Sequence, residues 1–370
     1  GMEIVWADTR FGTPGADTIS GTNNDDNIFG LEGNDNLSGQ GGDDYIGGDP
    51  GNDVINDGPG SDIILAGSGD DNIKLEGTGQ ADGNSASAGF DEVHGEGGRD
   101  TIDGRGSAGY LLIYGEDGND NITTGGDGND GRMFGGLGDD YISTCCDSRY
   151  DAWGGPGNDE IWGSSECSLD RAFGGSGNDK IYQSEFAKGG SGNDIIQFYD
   201  CSGIAYGDAG NDQIGGAVDF GIEAHGGSED DTLTGNDGES DRLFGDAGND
   251  RLTGGGGADF FSCGPGVDTI TDFNAAEGDT KTADCENVSS NMPALSNNAT
   301  TAGPASNTTT GGTSPNNSNE TIGKIPSAGQ EGTSSSSLPP MITNNTNSPR
   351  GRETTTSTMP SLTDDARAPQ

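Results

Sequence analysis

Gly30-Leu-Glu-Gly-Asn-Asp-Asn-Leu-Ser38 is one of seven nonapeptides that follow each other without a gap from residue 12 to residue 74. Each copy has an aspartate at its sixth position and an aliphatic residue at its eighth. The first six residues favour a tight turn, because Gly, Asn and Asp accept positive φ and close backbone approach. The last three favour a short strand in which only the middle side chain points inward.

The period of nine predicts a solenoid that needs cations. One such strand buries little apolar surface alone, so successive copies must stack as coils and share a narrow core. With two copies in each coil, equivalent aspartates lie about 4.8 Å apart. Carboxylates at that distance repel by about 1 kcal/mol each even in water, so a cation is required between them. Carboxylate and backbone carbonyl oxygens favour calcium over magnesium or zinc. The inward column is Ile19, Ile28, Leu37, Ile46, Ile55, Ile64 and Ile73.

Two later copies carry a known signature, G-G-x-G-x-D-x-U-x. They are Gly154-Gly-Pro-Gly-Asn-Asp-Glu-Ile-Trp162 and Gly174-Gly-Ser-Gly-Asn-Asp-Lys-Ile-Tyr182. The chain thus resembles the hemolysin-type calcium-binding repeat (RTX) family, of the secreted repeat-only type. The resemblance implies an all-β fold, a parallel β-roll of stacked two-strand coils with Ca²⁺ ions between equivalent turns. The implied metal ligands are Asp17, Asp26, Asp35, Asp44, Asp53, Asp62, Asp71, Asp91, Asp100, Asp120, Asp140, Asp159, Asp179, Asp194, Asp212, Asp231, Asp250, Asp259 and Asp268.

Two turns in each coil divide these aspartates between two edges of the roll. We expect an unbroken edge that lacks only one turn, near residues 75–85. Its aspartates would be Asp26, Asp44, Asp62, Asp100, Asp120, Asp140, Asp159, Asp179, Asp194, Asp212, Asp231, Asp250 and Asp268. The other edge would have Asp17, Asp35, Asp53, Asp71 and Asp91, followed by irregular loops until Asp259.

The chain is predicted to have three parts. Residues 1–11 are a lead-in, residues 12–288 form the β-roll, and residues 289–370 are a Ser-, Thr-, Asn- and Pro-rich tail that we expect to be disordered. The family resemblance implies a C-terminal cap over residues 263–288, closed by a disulfide between Cys263 and Cys285. A capped end is what an open solenoid requires.

Four further cysteines fall in the irregular loops. A bond from Cys145 or Cys146 to Cys167 joins adjacent coils, which is compatible with the Cα separation of a disulfide. A direct bond onward to Cys201 would need a protruding loop, and the sequence leaves the pairing open. Our hypothesis is that disulfides replace calcium on the irregular edge.

Composition limits the partners and the compartment. The net charge is −47 and only 28% of residues are hydrophobic, so without bound cations we expect an unfolded chain. The same charge argues against nucleic acid, and the apolar runs are too short for membrane insertion. Six cysteines and a requirement for calcium indicate a secreted, extracellular or cell-surface protein.

A column of mostly aromatic residues precedes the later turns. Its members are Tyr114, Phe134, Trp153, Phe173, Lys188, Tyr206, His225 and Phe244, each after a smaller or aliphatic residue. Strict alternation would place the rings outside, where they could bind glycan. A register shift would place them in the core, and we favour the core interpretation.

These patterns favour an extracellular calcium-binding structural or surface protein. The alternative is a calcium-dependent adhesin that binds cell-surface glycan or matrix through the aromatic column. Ice binding is less favoured, because the outward threonine pairs, Thr232 with Thr234 and Thr269 with Thr271, do not continue along the array. No enzyme is expected, since His94 and His225, the only histidines, lie at outward positions without a nucleophile or zinc spacing.

Overall fold

The structure, a computed structural model, describes residues 8–77, 89–107, 109–125, 130–145, 149–163, 169–199, 201–216 and 220–290. Within these ranges the regular secondary structure is entirely β-strand, so no described segment forms a helix that could span a membrane. Every residue that the structure describes belongs to one compact unit. The predicted tail after residue 290 lies outside the described residues.

The strands form two parallel sheets of 15 strands each. The first sheet consists of β1 (Asp8–Phe11), β3 (Asp26–Phe29), β5 (Tyr45–Gly47), β7 (Ile63–Ser68), β9 (Phe90–Gly97), β11 (Tyr110–Asp117), β13 (Asp130–Leu137), β15 (Arg149–Pro156), β17 (Leu169–Ser176), β19 (Ser184–Ser191), β21 (Ile204–Ala209), β23 (Glu223–Ser228), β25 (Arg242–Ala247), β27 (Phe260–Ser262) and β29 (Thr280–Lys281). The second consists of β2 (Thr18–Ser20), β4 (Asn36–Ser38), β6 (Val54–Asn56), β8 (Asn72–Glu76), β10 (Thr101–Gly106), β12 (Asn121–Gly125), β14 (Tyr141–Cys145), β16 (Glu160–Trp162), β18 (Lys180–Tyr182), β20 (Ile195–Gln197), β22 (Gln213–Gly215), β24 (Thr232–Thr234), β26 (Arg251–Thr253), β28 (Thr269–Phe273) and β30 (Asn287–Ser290).

Successive strands alternate between the two sheets, so each coil gives one strand to each sheet. Pairing across coils joins equivalent repeat positions, as in Leu37 opposite Ile55. We call the turns that lead from the first sheet to the second edge one, and the returning connections edge two. The predicted parallel β-roll of two-strand coils is confirmed.

The core is the narrow space between the two sheets. The aliphatic column of the nonapeptides is fully buried from Ile28 to Ile73, and Ile19, in the outermost coil, packs against it while partly covered. The neighbours of each inward residue face out, as the alternation along a strand requires. The predicted inward column is therefore confirmed, and each coil supplies two small apolar layers to one continuous core.

The aromatic column lies on the outer face of the first sheet. Ala152 and Ala172, which precede two of the rings, are fully buried, whereas Tyr114, Phe134 and Trp153 are only partly covered. Ring centroids are 4.9 Å apart between Tyr114 and Phe134 and 4.6 Å apart between Phe134 and Trp153. The core interpretation is wrong, because β13 and β15 pair in register and keep strict alternation. Lys188 pairs with Phe173 but contributes no ring. The aromatic row, with six stacked and three tilted contacts, consists of His94, Tyr114, Phe134, Trp153, Phe173, Phe186, Tyr206, His225, Phe244 and Phe260.

Disulfides secure the end of the array and one site on edge two. Cys263 and Cys285 are bonded with a Cα separation of 5.2 Å, which confirms the disulfide implied for the cap. Cys201, between β20 and β21, is also disulfide-bonded and nearly buried. Cys146 and Cys167 of the predicted pairing lie outside the described residues.

Candidate metal sites

Edge one is a continuous column of buried aspartates joined by hydrogen bonds. The N–H of Asp35 donates to Oδ1 of Asp53 in the next coil, and Oδ1 of Asp35 accepts from the N–H of Asp17 in the previous coil, each at 2.7 Å. The same bond repeats coil by coil from Asp17 to Asp268. One carboxylate oxygen of each aspartate is therefore used to hold the coils in register.

The second oxygen, Oδ2, has no hydrogen-bond role in most repeat turns of either edge. It is buried and has no hydrogen-bond donor in Asp35, Asp44, Asp53, Asp62, Asp71, Asp100, Asp120, Asp140, Asp159, Asp179, Asp194, Asp212, Asp231, Asp250, Asp259 and Asp268. Buried carboxylate oxygens without partners are costly, and their regular recurrence requires an explanation.

In ten of these turns the unpaired Oδ2 faces a backbone carbonyl oxygen across the glycine that begins the turn. A Cβ atom at Gly30, the first residue of its turn, would lie 2.9 Å from the carbonyl oxygen of Gly48 and still closer to Oδ2 of Asp35. The turns that begin at Gly115 and Gly226 have the same arrangement. Glycine leaves open the space on which the two oxygens converge, whereas Ala66 and Cys263 stand at the first position of the turns of Asp71 and Asp268.

In the absence of a cation, burial disfavours the ionised form of these carboxyl groups. It raises the pKa of Asp231 to about 8, although the N–H of Asp212 acts in the opposite direction, and the charges of Asp212 and Asp250 raise the pKa further. The pKa of Asp62 is raised to about 7 by the same main cause. A bound cation would reverse this balance by favouring the ionised form.

The donor set fits calcium. The converging atoms are carboxylate and backbone carbonyl oxygens, which are hard ligands, and the turns supply several of them at each step between coils. Calcium accepts such ligands in flexible geometry, whereas zinc favours nitrogen and sulfur and magnesium retains its water. When bound, the ion would supply positive charge between coils, and the repeat aspartates with the turn carbonyls would hold it.

The predicted aspartates lie on both edges, but the predicted division between the edges is wrong after residue 77. Edge one contains Asp17, Asp35, Asp53, Asp71, Asp100, Asp120, Asp140, Asp159, Asp179, Asp194, Asp212, Asp231, Asp250 and Asp268. Edge two contains Asp26, Asp44, Asp62, Asp91 and Asp259.

The correction follows from one long connection. We expected residues 75–85 to replace a missing turn of the unbroken edge. Instead β9 pairs with β7 and β10 pairs with β8, so these strands are direct neighbours in their sheets and the connection from β8 to β9 takes the place of a single edge-two turn. Asp62 therefore bonds to Asp91 and Asp71 bonds to Asp100. The unbroken column thus continues from Asp17, not from Asp26.

Three predicted ligands differ from the others at Oδ2. In Asp17 this oxygen accepts the hydroxyl of Thr13 at 2.8 Å, and in Asp26 it accepts the hydroxyl of Thr22 at 2.9 Å. In Asp91 it accepts the hydroxyl of Ser107 at 3.0 Å. In these three carboxylates the protein itself supplies a hydrogen-bond donor to Oδ2.

Sequence reasoning missed three aspartates. Asp241 accepts the N–H groups of Ile222 and Asn236 on edge two, but its turn contains one extra residue, which hides the sixth position. Asp279 accepts the N–H of Asp259 in a turn without the initial glycine, and spacing alone could have found it. Asp57 is completely buried at a position where the repeat calls for glycine.

The comparisons with known proteins agree with this geometry. The family model of the RTX calcium-binding nonapeptide repeat, which comprises four copies, matches the chain in several segments: residues 11–46, 47–76, 85–111, 152–165, 170–182, 224–239 and 237–270. No curated protein matches the chain. The matched segments contain turns of both edges.

Proposed function

Because the repeat array belongs to the RTX calcium-binding nonapeptide repeat family, we propose that this chain is an extracellular structural or surface protein that folds around calcium. Such repeat rolls are generally non-enzymatic, and proteins that carry them are typically secreted. The specific role, the calcium dependence of folding and the location of this chain are our proposal.

One observation carries the proposal. In most repeat turns, nearly all of them on edge one, buried Oδ2 atoms without donors face turn carbonyl oxygens of the next coil. Without cations this arrangement concentrates negative charge in a chain whose net charge is already −47. Ions that bind only the folded array would stabilise it by mass action.

Circular dichroism of the metal-stripped full chain tests the proposal. We expect a coil-like spectrum in chelator and a strand spectrum after addition of calcium, with a much weaker response to magnesium. If the metal-stripped chain were as folded as the calcium-loaded chain, the proposal that folding depends on calcium would be wrong. An equal response to magnesium would contradict the ligand assignment.

A glycan-binding adhesin remains the second candidate, supported by the outward position of the aromatic row. The rings, however, cover each other's faces, as for His225 and Phe244, whose centroids are 4.3 Å apart with an interplanar angle of 2°. Sugars stack on exposed ring faces, and this row presents mainly ring edges. Glycan-array binding in calcium separates the two functions, since a purely structural protein binds no glycan.

Ice binding is a weaker candidate. Thr234 lies beside Thr253, which shares a hydroxyl hydrogen bond of 2.7 Å with Thr271, so one short row exists. The neighbouring row is interrupted by Arg251 between Thr232 and Thr269. Thermal hysteresis of the calcium-loaded chain tests this possibility, and we expect none.

A further inference from the structure

A second kind of carboxylate site lies on edge two, at the last regular turn before the long connection. Asp57, Asp62 and Asp91 are at most 2% exposed, and each offers an oxygen within 4.8 Å of the oxygens of the other two. Three carboxylates at this distance in a dry environment repel strongly. A positive charge must therefore lie close to them to offset this repulsion.

Asp57 is the unusual member. The preceding turns of this edge begin with Gly21 and Gly39, and Asp57 stands at the equivalent position. Its Oδ1 accepts the N–H groups of Gly58 at 2.6 Å and Glu76 at 2.7 Å. Its Oδ2 is buried and has no donor, so the protein fixes the carboxylate but leaves one oxygen free.

The backbone explains why a side chain is needed at this position. At regular turns, the carbonyl oxygen of the next coil approaches the aspartate Oδ2. Beside Asp57 the next coil does not turn, because β6 ends at Asn56 whereas β8 continues through Glu76. The Asp57 carboxylate therefore lies where the neighbouring coil supplies no turn of its own.

The other two carboxylates are also held in place. Oδ1 of Asp91 accepts the N–H of Asp62 at 3.1 Å, and its Oδ2 accepts the hydroxyl of Ser107. Oδ2 of Asp62, like that of Asp57, is buried without a donor. Two carboxylates that each have an unpaired, buried oxygen thus lie close to a third carboxylate.

We propose that Asp57, Asp62 and Asp91 together bind one Ca²⁺ ion through their side chains, more tightly than the ions of the regular turns. The site has three carboxylates, whereas a regular turn combines carboxylate with neutral carbonyl oxygens, and affinity rises with ligand charge. This inference rests on the proposed function, since the array must bind calcium for the site to matter.

Native mass spectrometry of the full chain, with calcium and a graded series of chelators, tests the proposal. We expect Asp57→Asn to hold one ion fewer than the unmodified chain at saturation. The last ion that chelator removes is the most tightly bound one. We expect the affinity of that ion to be at least about tenfold lower in the variant than in the unmodified chain. Asparagine keeps the shape of the side chain and its Oδ1 acceptor.

Asp43→Asn is the matched control. Asp43 is exposed in the preceding edge-two turn and accepts the N–H of Ser61 through Oδ1. Asn34 accepts an equivalent bond from Asn52 elsewhere in the array, so an asparagine fits this position. The control has the same change in charge as Asp57→Asn, and we expect it to retain every ion.

Each outcome decides a different question. If the unmodified chain binds many ions and Asp57→Asn binds as many with the same tightest affinity, the three-carboxylate site is wrong while the proposed function stands. A proton shared within the cluster would give that result, because asparagine resembles the protonated acid. If the unmodified chain binds no calcium, the proposed function itself fails.

Two further measurements keep the test decisive if Asp57→Asn does not fold. Asp57→Gly restores the residue found at Gly39 and is expected to lose the same ion. In the unmodified chain, hydrogen exchange during partial chelation should preserve protection longest in β6, β7 and β9. Loss of protection there before the strands around Asp179 would overturn the tight site.

Discussion

The N-terminal coils, residues 8–77, and the later coils, from residue 89 onward, solve the same stacking problem in different ways. In the first region both edges consist of six-residue turns with a buried aspartate, and the strands β4, β5 and β6 have only three residues. In the second, edge one continues unchanged while edge two becomes irregular, and β9, β11, β13, β15, β17 and β19 have eight residues each. One regular edge is therefore enough to keep both sheets in register.

The difference indicates what replaces the lost turns. Longer strands add backbone hydrogen bonds between coils, and the stacked rings add contacts on the outer face of the first sheet. The disulfide at Cys201 on edge two agrees with the hypothesis that covalent links supplement the irregular edge. Each N-terminal coil would then depend on cations at two edges, and each later coil mainly at one.

The largest expected effect is that of pH on the metal-stripped chain. Burial raises the folded-state pKa of Asp53 and Asp62 to about 7, and that of Asp179 also to about 7, from 3.8. The folded array therefore binds more protons than the unfolded chain between about pH 4 and 7, so its stability falls as pH rises through that range. We expect strand signal near pH 4 to 5 that is lost by pH 7.5.

Hydrogen exchange, corrected for its intrinsic pH dependence, resolves this effect by region. The N-terminal strands should lose protection first on raising the pH, because carboxylates line both edges there. With calcium present the sign reverses, since protons compete with the ion and affinity falls as pH drops through 7. Metal-free stability that rises with pH would contradict the assignment of buried carboxylates.

The next largest effect is expected from alanine at the fourth position of edge-one turns. Gly69 and Gly177 have φ of 139° and 133°, and a Cβ atom there would overlap the carbonyl oxygens of Gly51 and Gly157. Backbone strain and the steric clash together should cost about 4 kcal/mol in calcium. If both regions depend on edge one in the same way, chemical unfolding should show a similar loss in the free energy of unfolding for Gly69→Ala and Gly177→Ala.

Gly97→Ala is the control for both glycine variants. A Cβ atom at Gly97 would have no neighbouring atom within 4 Å, so we expect little loss of stability. If Gly69→Ala were harmless while Gly177→Ala unfolded the chain, the two regions would not depend on edge one in the same way, and the comparison between them would need revision.

Removal of the cap disulfide should have a smaller and local effect. The bond between Cys263 and Cys285 closes a sequence separation of 22 residues, and its loss in a double serine variant should cost about 3 kcal/mol. We expect increased hydrogen exchange in β28 and β30, with β3 to β6 unaffected. Equal loss of protection in the N-terminal coils would indicate that the array unfolds as one unit.

The smallest effect is expected from the aromatic row. Phe134 lies between Tyr114 and Trp153 in stacked contact, and Phe134→Ala should reduce the free energy of unfolding by about 1–2 kcal/mol without changing the number of bound ions. Phe220, which is 45% exposed, is a control whose replacement should have little effect. Loss of ions in Phe134→Ala would show that the row and edge one are coupled.

Much of the fold could be predicted from the repeat. Its period of nine predicted stacked coils, the inward column from Ile28 to Ile73 and the aspartates whose Oδ2 atoms are now found buried, and the family resemblance implied the parallel roll. The outward rings also followed from strict alternation, which is the interpretation that we did not favour. Asp57 was not recognised, because it stands at the first position of its turn, whereas the ligands were identified by the aspartate at the sixth.

By itself the sequence determined which residues turn, which enter the core and which carry charge, because each nonapeptide encodes these properties locally. Only the tertiary structure decided which edge each turn joins after residue 77. A long segment between repeats can add a strand or merely lengthen one connection, and the hydrogen bonds of β9 to β7 decide between these outcomes. Those bonds join residues far apart in the chain, so no local pattern records them. They also bring Asp57, Asp62 and Asp91 together.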